Sequence, residues 1–255
     1  MSTGVTRWDR NLGRSTVTHT IVFDFDGTLA LGRGPLLAYA RCVSELVADG
    51  ASIDIGAALT EAIEQFECGE GDYRDAYDAV RQASLLLDVD EATLSRGYMA
   101  SRELLAGPQA PVIAPRGIRE FLEGLPSDVM LTLVTNAPNI RITEALQALD
   151  VDDLFSERVY SARKPAGLEE VIGKALKRGP VLSVGDIFEY DLAPAIELGA
   201  QTALVGDASG KYTDRVTMHG ATLADLYSAI TSWAANPAVS PTVPTGTRTN
   251  NERHN

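Results

Sequence analysis

Four short apolar runs, each ending where the chain turns polar or reaches a glycine, restrict this fold more than any other feature. They are residues 20–23 (TIVF), Val129–Val134 (VMLTLV), residues 180–184 (PVLSV) and residues 202–205 (TALV). Successive strand residues point to opposite faces. A run that is apolar on both faces therefore belongs in a sheet covered on both sides. Helix-like segments at 139–149 and 166–177 separate the later runs. This alternation predicts an α/β protein with a parallel sheet, a Rossmann-like doubly wound core. Ligands bind such sheets at the carboxyl ends of the strands, and every polar cluster considered below sits at such an end.

Residues 36–106 break the pattern. Leu36, Ala40, Val43 and Val47 share one helical stripe, as do Leu59, Ala62, Ile63 and Phe66. Residues 72–87 and 91–105 continue as helices, with no strand-like run between them. The prediction is an all-helical insert at 34–107, with the core formed by 18–33 and 108–235. Gly32, Gly34 and Pro35 at one junction, and Pro108, Pro111 and Pro115 at the other, are candidate hinges. Residues 1–17 read as a flexible tail. Residues 236–255, rich in Pro, Thr and Asn, read as a disordered one.

Composition narrows the function. The net charge of −13, from 22 basic and 35 acidic residues, argues against a nucleic-acid partner. It leaves room for a small anionic substrate, since a bound cation reverses the local field. The two cysteines, Cys42 and Cys68, read as buried thiols and not as a disulfide framework. The N-terminal stretch lacks the apolar core of a signal peptide, and no apolar run reaches about 18 residues. A cytoplasmic protein with no membrane partner is expected. Nothing in the sequence sets its oligomeric state.

Four clusters carry chemistry. Asp24 and Asp26 stand two apart after the first run. The Asp26-Gly27 pair would suit a hairpin, but residues 28–37 supply no good second strand. Paired carboxylates make sense if they have different jobs or share a cation. Thr135-Asn136 follows the second run; a hydroxyl and backbone N–H groups there suit a helix cap or a phosphate oxygen. Lys164, ahead of Pro165, is by itself an ordinary loop lysine. Asp186 and Asp191 follow the third run, as turn and cap residues or as oxygen ligands for a hard cation such as Mg²⁺.

In this order the clusters resemble the motifs of the haloacid dehalogenase superfamily of aspartate-nucleophile hydrolases. The matching stretches are VFDFDGTL, LTLVTN, ARKPAG and GDIFEYD, and the resemblance covers residues 18–235. It implies that Asp24 is a nucleophile forming an aspartyl-phosphate, and that Asp26 is the general acid and base. Thr135 and Asn136 would bind the phosphoryl group, and Lys164 would offset its charge. Mg²⁺ would be held by Asp24, the carbonyl of Asp26 and Asp186, with Asp191 orienting the site. Position 187 is Ile where many relatives place Ser or Thr. The family's dehalogenases generally lack the second acid of the first motif; with Asp26 present, a phosphatase of a small phosphorylated metabolite is implied. The alternatives are a phosphomutase or phosphotransferase, or a non-catalytic regulatory member.

The resemblance makes the insert a cap. Residues 36–106 hold 14 acids and five bases, which reads either as a solvated face or as a surface disfavouring polyanionic substrates. Arg33, Arg74, Arg96 and Arg102 are candidate substrate contacts there. Tyr73 and Tyr77 read as packing residues with hydroxyls near solvent. GDASGK, from Gly206 to Lys211, is no P-loop: the glycines lie one residue too close, and Tyr212 stands where Ser or Thr is needed.

Overall fold

A computed structural model of the chain describes residues 18–47, 54–206 and 210–237. The tail expected at 1–17, nearly all of that at 236–255, and the middle of GDASGK lie outside the described residues. In chain order come β1 (His19–Phe23), α1 (Gly34–Val47), α2 (Ile55–Glu67), α3 (Ala76–Leu86) and α4 (Glu91–Arg102). Next are α5 (Ile118–Glu123), β2 (Val129–Val134), α6 (Ile142–Ala148), β3 (Glu157–Val159) and α7 (Ala166–Leu176). The chain finishes with β4 (Val181–Gly185), α8 (Ala193–Glu197), β5 (Gln201–Val205), β6 (Met218–Gly220) and α9 (Leu223–Ala235).

The strands form one six-stranded sheet in the order β3-β2-β1-β4-β5-β6, with every pair parallel. The alternation explains why the runs are apolar throughout. Ile21 and Phe23 of β1 join one core with Leu131, Leu133, Leu182 and Val184. Val22 turns to the opposite core with Val134, Val181, Leu168 and Ile172. Fully burying each such side chain contributes about 2 kcal/mol. Two strands lack a counterpart among the four runs. β3 and β6 have three residues each and are only partly buried; they are the sheet's edges, where solvent removes the need for apolar residues on both faces.

The sheet order reverses direction between β1 and β4. Chain segments leaving these two neighbours diverge, so a crevice opens above their carboxyl ends.

The insert between β1 and β2 is helical, as predicted, and has a core of its own. Tyr39, Val43, Leu59, Ile63, Val80 and Leu94 pack together within α1 to α4. A Cβ on Gly97 would lie 2.6 Å from Val43, so that glycine lets α4 press against α1. Asp54, Asp75 and Asp90 accept from backbone N–H groups at the starts of α2, α3 and α4. Part of the insert's acidity is therefore helix capping. α3 begins at its cap and not at residue 72. The two links between insert and core are tied together: the N–H of Leu31 donates to the Ile113 carbonyl at 2.9 Å, and that of Ile113 to Leu31 at 2.8 Å. Cys42 is buried, but Cys68 is exposed just beyond α2, which corrects the expectation of two buried thiols. No helix among the described residues is long and apolar enough to cross a membrane.

Candidate active site

The four sequence clusters meet above the crevice. Asp24 directly follows β1, Thr135 follows β2, and Asp186 follows β4. Lys164 stands two residues ahead of α7, on the segment that leaves β3. Asp24, Asp26, Thr135, Asn136, Lys164, Asp186 and Asp191 all line one cavity of about 470 Å³.

Lys164 is buried and bridges two acids. Its Nζ lies 2.5 Å from Asp24 Oδ1 and 2.6 Å from Asp191 Oδ1. Burial opposes its charge, but Asp24 and Asp191 outweigh burial and hold the ammonium above its ordinary range. The approach to Asp24 is fixed by Asn136, whose Oδ1 accepts from the Lys164 backbone N–H at 2.7 Å. Thr135 is anchored on both sides. Its N–H donates to Val159 and its carbonyl accepts from Ala162. Its hydroxyl accepts from the Ala137 N–H at 3.0 Å. Neither Thr135 nor Asn136 caps α6, which begins after Arg141 in a left-handed conformation and has no side-chain cap.

Asp24, Asp186 and Asp191 each offer a carboxylate oxygen, and these oxygens lie within 4.8 Å of one another. Three acids with one ammonium between them leave a local excess of negative charge. Burial pushes Asp24 up to about 7; Lys164 pulls it down, and Asp191 and Asp26 add to the rise. Burial, with Asp24 and Asp191, also raises Asp186 well above the carboxylate range. Clustered oxygen donors that resist ionisation without a counter-charge fit a small hard cation.

Close approach of these groups depends on local backbone choices. Gly27 has φ of +84°, and a Cβ there would sit 2.2 Å from Asp186 Oδ2. Asp191 lies within a π-helical turn, Phe188–Leu192. Its side chain turns back to accept from the Ile187 N–H at 3.0 Å, so it does not cap the helix that follows. The backbone of Ile187 thus makes a polar contact although its side chain cannot. Ser183, which the sequence reading passed over, donates to the Asp191 carbonyl at 2.7 Å. Its signal was a lone hydroxyl inside an otherwise apolar strand.

Asp26 faces away from the three clustered carboxylates and toward the insert. Its Oδ1 accepts from Arg102 Nη1 at 3.1 Å and from the Tyr77 hydroxyl at 3.4 Å. Tyr77 thus directs its hydroxyl at an acid of the site and not at solvent; Tyr73 does not line the cavity. Of the four candidate arginines, only Arg33 lines it. Arg74 pairs with Asp78 and Tyr190, and Arg96 is exposed beside Thr93.

No protein-family model and no curated protein matches this sequence. Solved structures do resemble it. YfnB of Bacillus subtilis, provisionally classed as a HAD hydrolase and bound to magnesium, matches with a TM-score of 0.57 and 18% identity over 84% of this chain and 98% of its own. A predicted phosphoglycolate phosphatase from Haemophilus somnus gives 0.57 and 20% over 86% and 100%. A 2-haloacid dehalogenase from Pseudomonas syringae gives 0.51 and 16% over 85% and 99%. The chain has the fold of the haloacid dehalogenase-like hydrolases.

Proposed function

We propose that this chain is a Mg²⁺-dependent phosphomonoesterase of the haloacid dehalogenase superfamily that acts on a small phosphorylated metabolite. In this reading residues 34–107 are a cap over a core of 18–33 and 108–235. The observation that carries it is the contact of Lys164 with Asp24, beside Asp186, in a cavity that Asp26 also lines. The fold alone does not choose between phosphatase and dehalogenase, since solved neighbours carry both names. Asp26 favours phosphoryl transfer, because that reaction needs a proton donor for the departing oxygen.

The Asp24 carboxylate attacks phosphorus as the ester oxygen leaves, and Asp26 gives that oxygen a proton. Asp26 then accepts a proton from the water that attacks the aspartyl-phosphate, which frees phosphate and restores Asp24. Splitting the displacement in this way replaces one hard step by two easier ones. Thr135 supplies its hydroxyl and Asn136 its backbone N–H to the phosphoryl oxygens, and Lys164 offsets their charge. Asp24, the Asp26 carbonyl and Asp186 are the residues that would hold Mg²⁺, with Asp191 beside them. When bound, the ion supplies positive charge against the phosphoryl oxygens.

The test is phosphate release from a metabolite panel, with Mg²⁺ and with chelator, for the wild type and Asp24→Asn. Chelation and the substitution should each remove nearly all turnover while the variant stays folded by circular dichroism. Wild-type rates in Asp24→Asn would end the proposal.

A further inference from the structure

The cavity extends beyond the carboxylates to a wall formed by the links and the inserted helices. Leu31, Pro35, Leu36, Phe66, Tyr77 and Tyr98 make much of it apolar. Apart from Lys164, the one basic residue lining the cavity among the described residues is Arg33. Arg33 is already engaged twice, 3.0 Å from Glu67 and 3.4 Å from Glu64. Glu67 and Asp75 line the same cavity. Arg102 and Arg74 do not compensate, since each pairs with an acid of the chain, Asp26 and Asp78 respectively. A second anionic group on a substrate would therefore face two lining acids, Glu67 and Asp75, against one guanidinium already shared with Glu64 and Glu67. Like charge in a partly enclosed site disfavours such a group, and an apolar body gains by covering the ring and aliphatic wall.

We infer that the substrate is a phosphomonoester whose alcohol is largely apolar and carries no carboxylate or second phosphate. This rests on the proposed phosphatase reading and narrows it: phosphoglycolate and sugar bisphosphates fall outside the class, and monoesters of ring-sized, uncharged alcohols fall inside it.

The experiment separates the two claims by reading binding apart from turnover. Benzylphosphonate and 4-carboxybenzylphosphonate, which cannot be hydrolysed at the ester position, are titrated calorimetrically into the full-length protein with Mg²⁺. The uncharged ring should bind about tenfold more tightly. In Glu67→Gln, which removes one acid and frees part of Arg33, the ratio should narrow by about twofold or more. Equal or reversed affinities in the wild type would overturn the inference, as would failure of benzylphosphonate to bind. An unchanged ratio in Glu67→Gln would overturn the part given to the acidic wall. Benzyl phosphate is then assayed for phosphate release. The expected binding preference without any release would sink the phosphatase reading and leave the ligand preference standing.

Discussion

Arg102 Nη1 lies 3.1 Å from Asp26 Oδ1, and the arginine that spans this gap is 1% exposed. It comes from the last turn of α4, so a helix of the insert holds an acid of the sheet crevice. Phe25 and Tyr98 lie beside the guanidinium, with ring centroids 6.0 and 5.9 Å away. Its Nε and Nη2 are buried without a protein partner. The pair is therefore both a tie across the two parts of the chain and a site of uncompensated desolvation.

Removing the arginine alone should be harmful. Arg102→Met leaves the Asp26 carboxylate with the Tyr77 hydroxyl and no counter-charge from the insert, and about 3 kcal/mol of stability should be lost. Asp26→Asn combined with Arg102→Met should recover much of that loss, because no charge then remains to be paired. Urea unfolding of the wild type, the two single variants and the double variant measures the coupling. A loss below about 1 kcal/mol in Arg102→Met would mean the contact behaves as a surface ion pair.

Gly27 offers a cleaner probe of the carboxylate cluster. Its positive φ and the 2.2 Å approach of a Cβ to Asp186 Oδ2 both oppose any side chain. Gly27→Ala should destabilise the protein by about 1–3 kcal/mol and weaken Mg²⁺ binding by about tenfold or more, because Asp186 must move. Titration calorimetry with Mg²⁺ reads the second effect directly. Wild-type affinity in the variant would remove Asp186 from the ion site.

The sequence was most readable where one physical demand acted on contiguous residues. Double-sided burial made β1, β2, β4 and β5 visible, and helical periodicity revealed the insert. The acids at the strand ends stood out because carboxylates rarely follow buried strands without a reason. What stayed hidden depended on distant partners. Nothing local separates Arg102, buried on Asp26, from Arg96, exposed six residues earlier on the same helix. The pairing of Arg33 with Glu64 and Glu67 likewise joins a core link to a helix about thirty residues on. Edge strands β3 and β6 escaped because partial exposure erases the apolar signal.

The stability of the protein should depend on pH in opposite ways with and without metal. In metal-free protein Asp24 is pushed up to about 7 by burial, and Asp186 is also raised. A carboxyl whose folded value exceeds its unfolded one binds its proton more tightly in the folded state. It therefore destabilises progressively as pH rises from about 4 toward 7. Mg²⁺ requires the ionised carboxylates, so its affinity should rise over the same window. Lys164, held above its ordinary range, keeps its charge throughout. Calorimetric melts with Mg²⁺ and with chelator should show a stabilising increment that grows from pH 5.5 to pH 8. An increment independent of pH would mean that these acids do not bind the ion.

Lys164 and a bound cation draw on the same carboxylates, and substitution can tell their roles apart. The ammonium contacts Asp24 and Asp191, while Asp186 completes the cluster. Lys164→Met leaves three acids without their protein counter-charge. Metal-free stability should fall, and Mg²⁺ affinity should hold or rise, since a competitor for the same oxygens has gone. Turnover should nevertheless drop by about 10²–10³, because a preorganised positive group no longer faces the transferring phosphoryl oxygens. Tighter metal binding together with lost turnover is a signature that general unfolding would not produce. Weaker Mg²⁺ binding in Lys164→Met would instead show that the lysine's main part is to hold Asp24 and Asp191 in place, and its assignment as a charge-offsetting group in catalysis would fall.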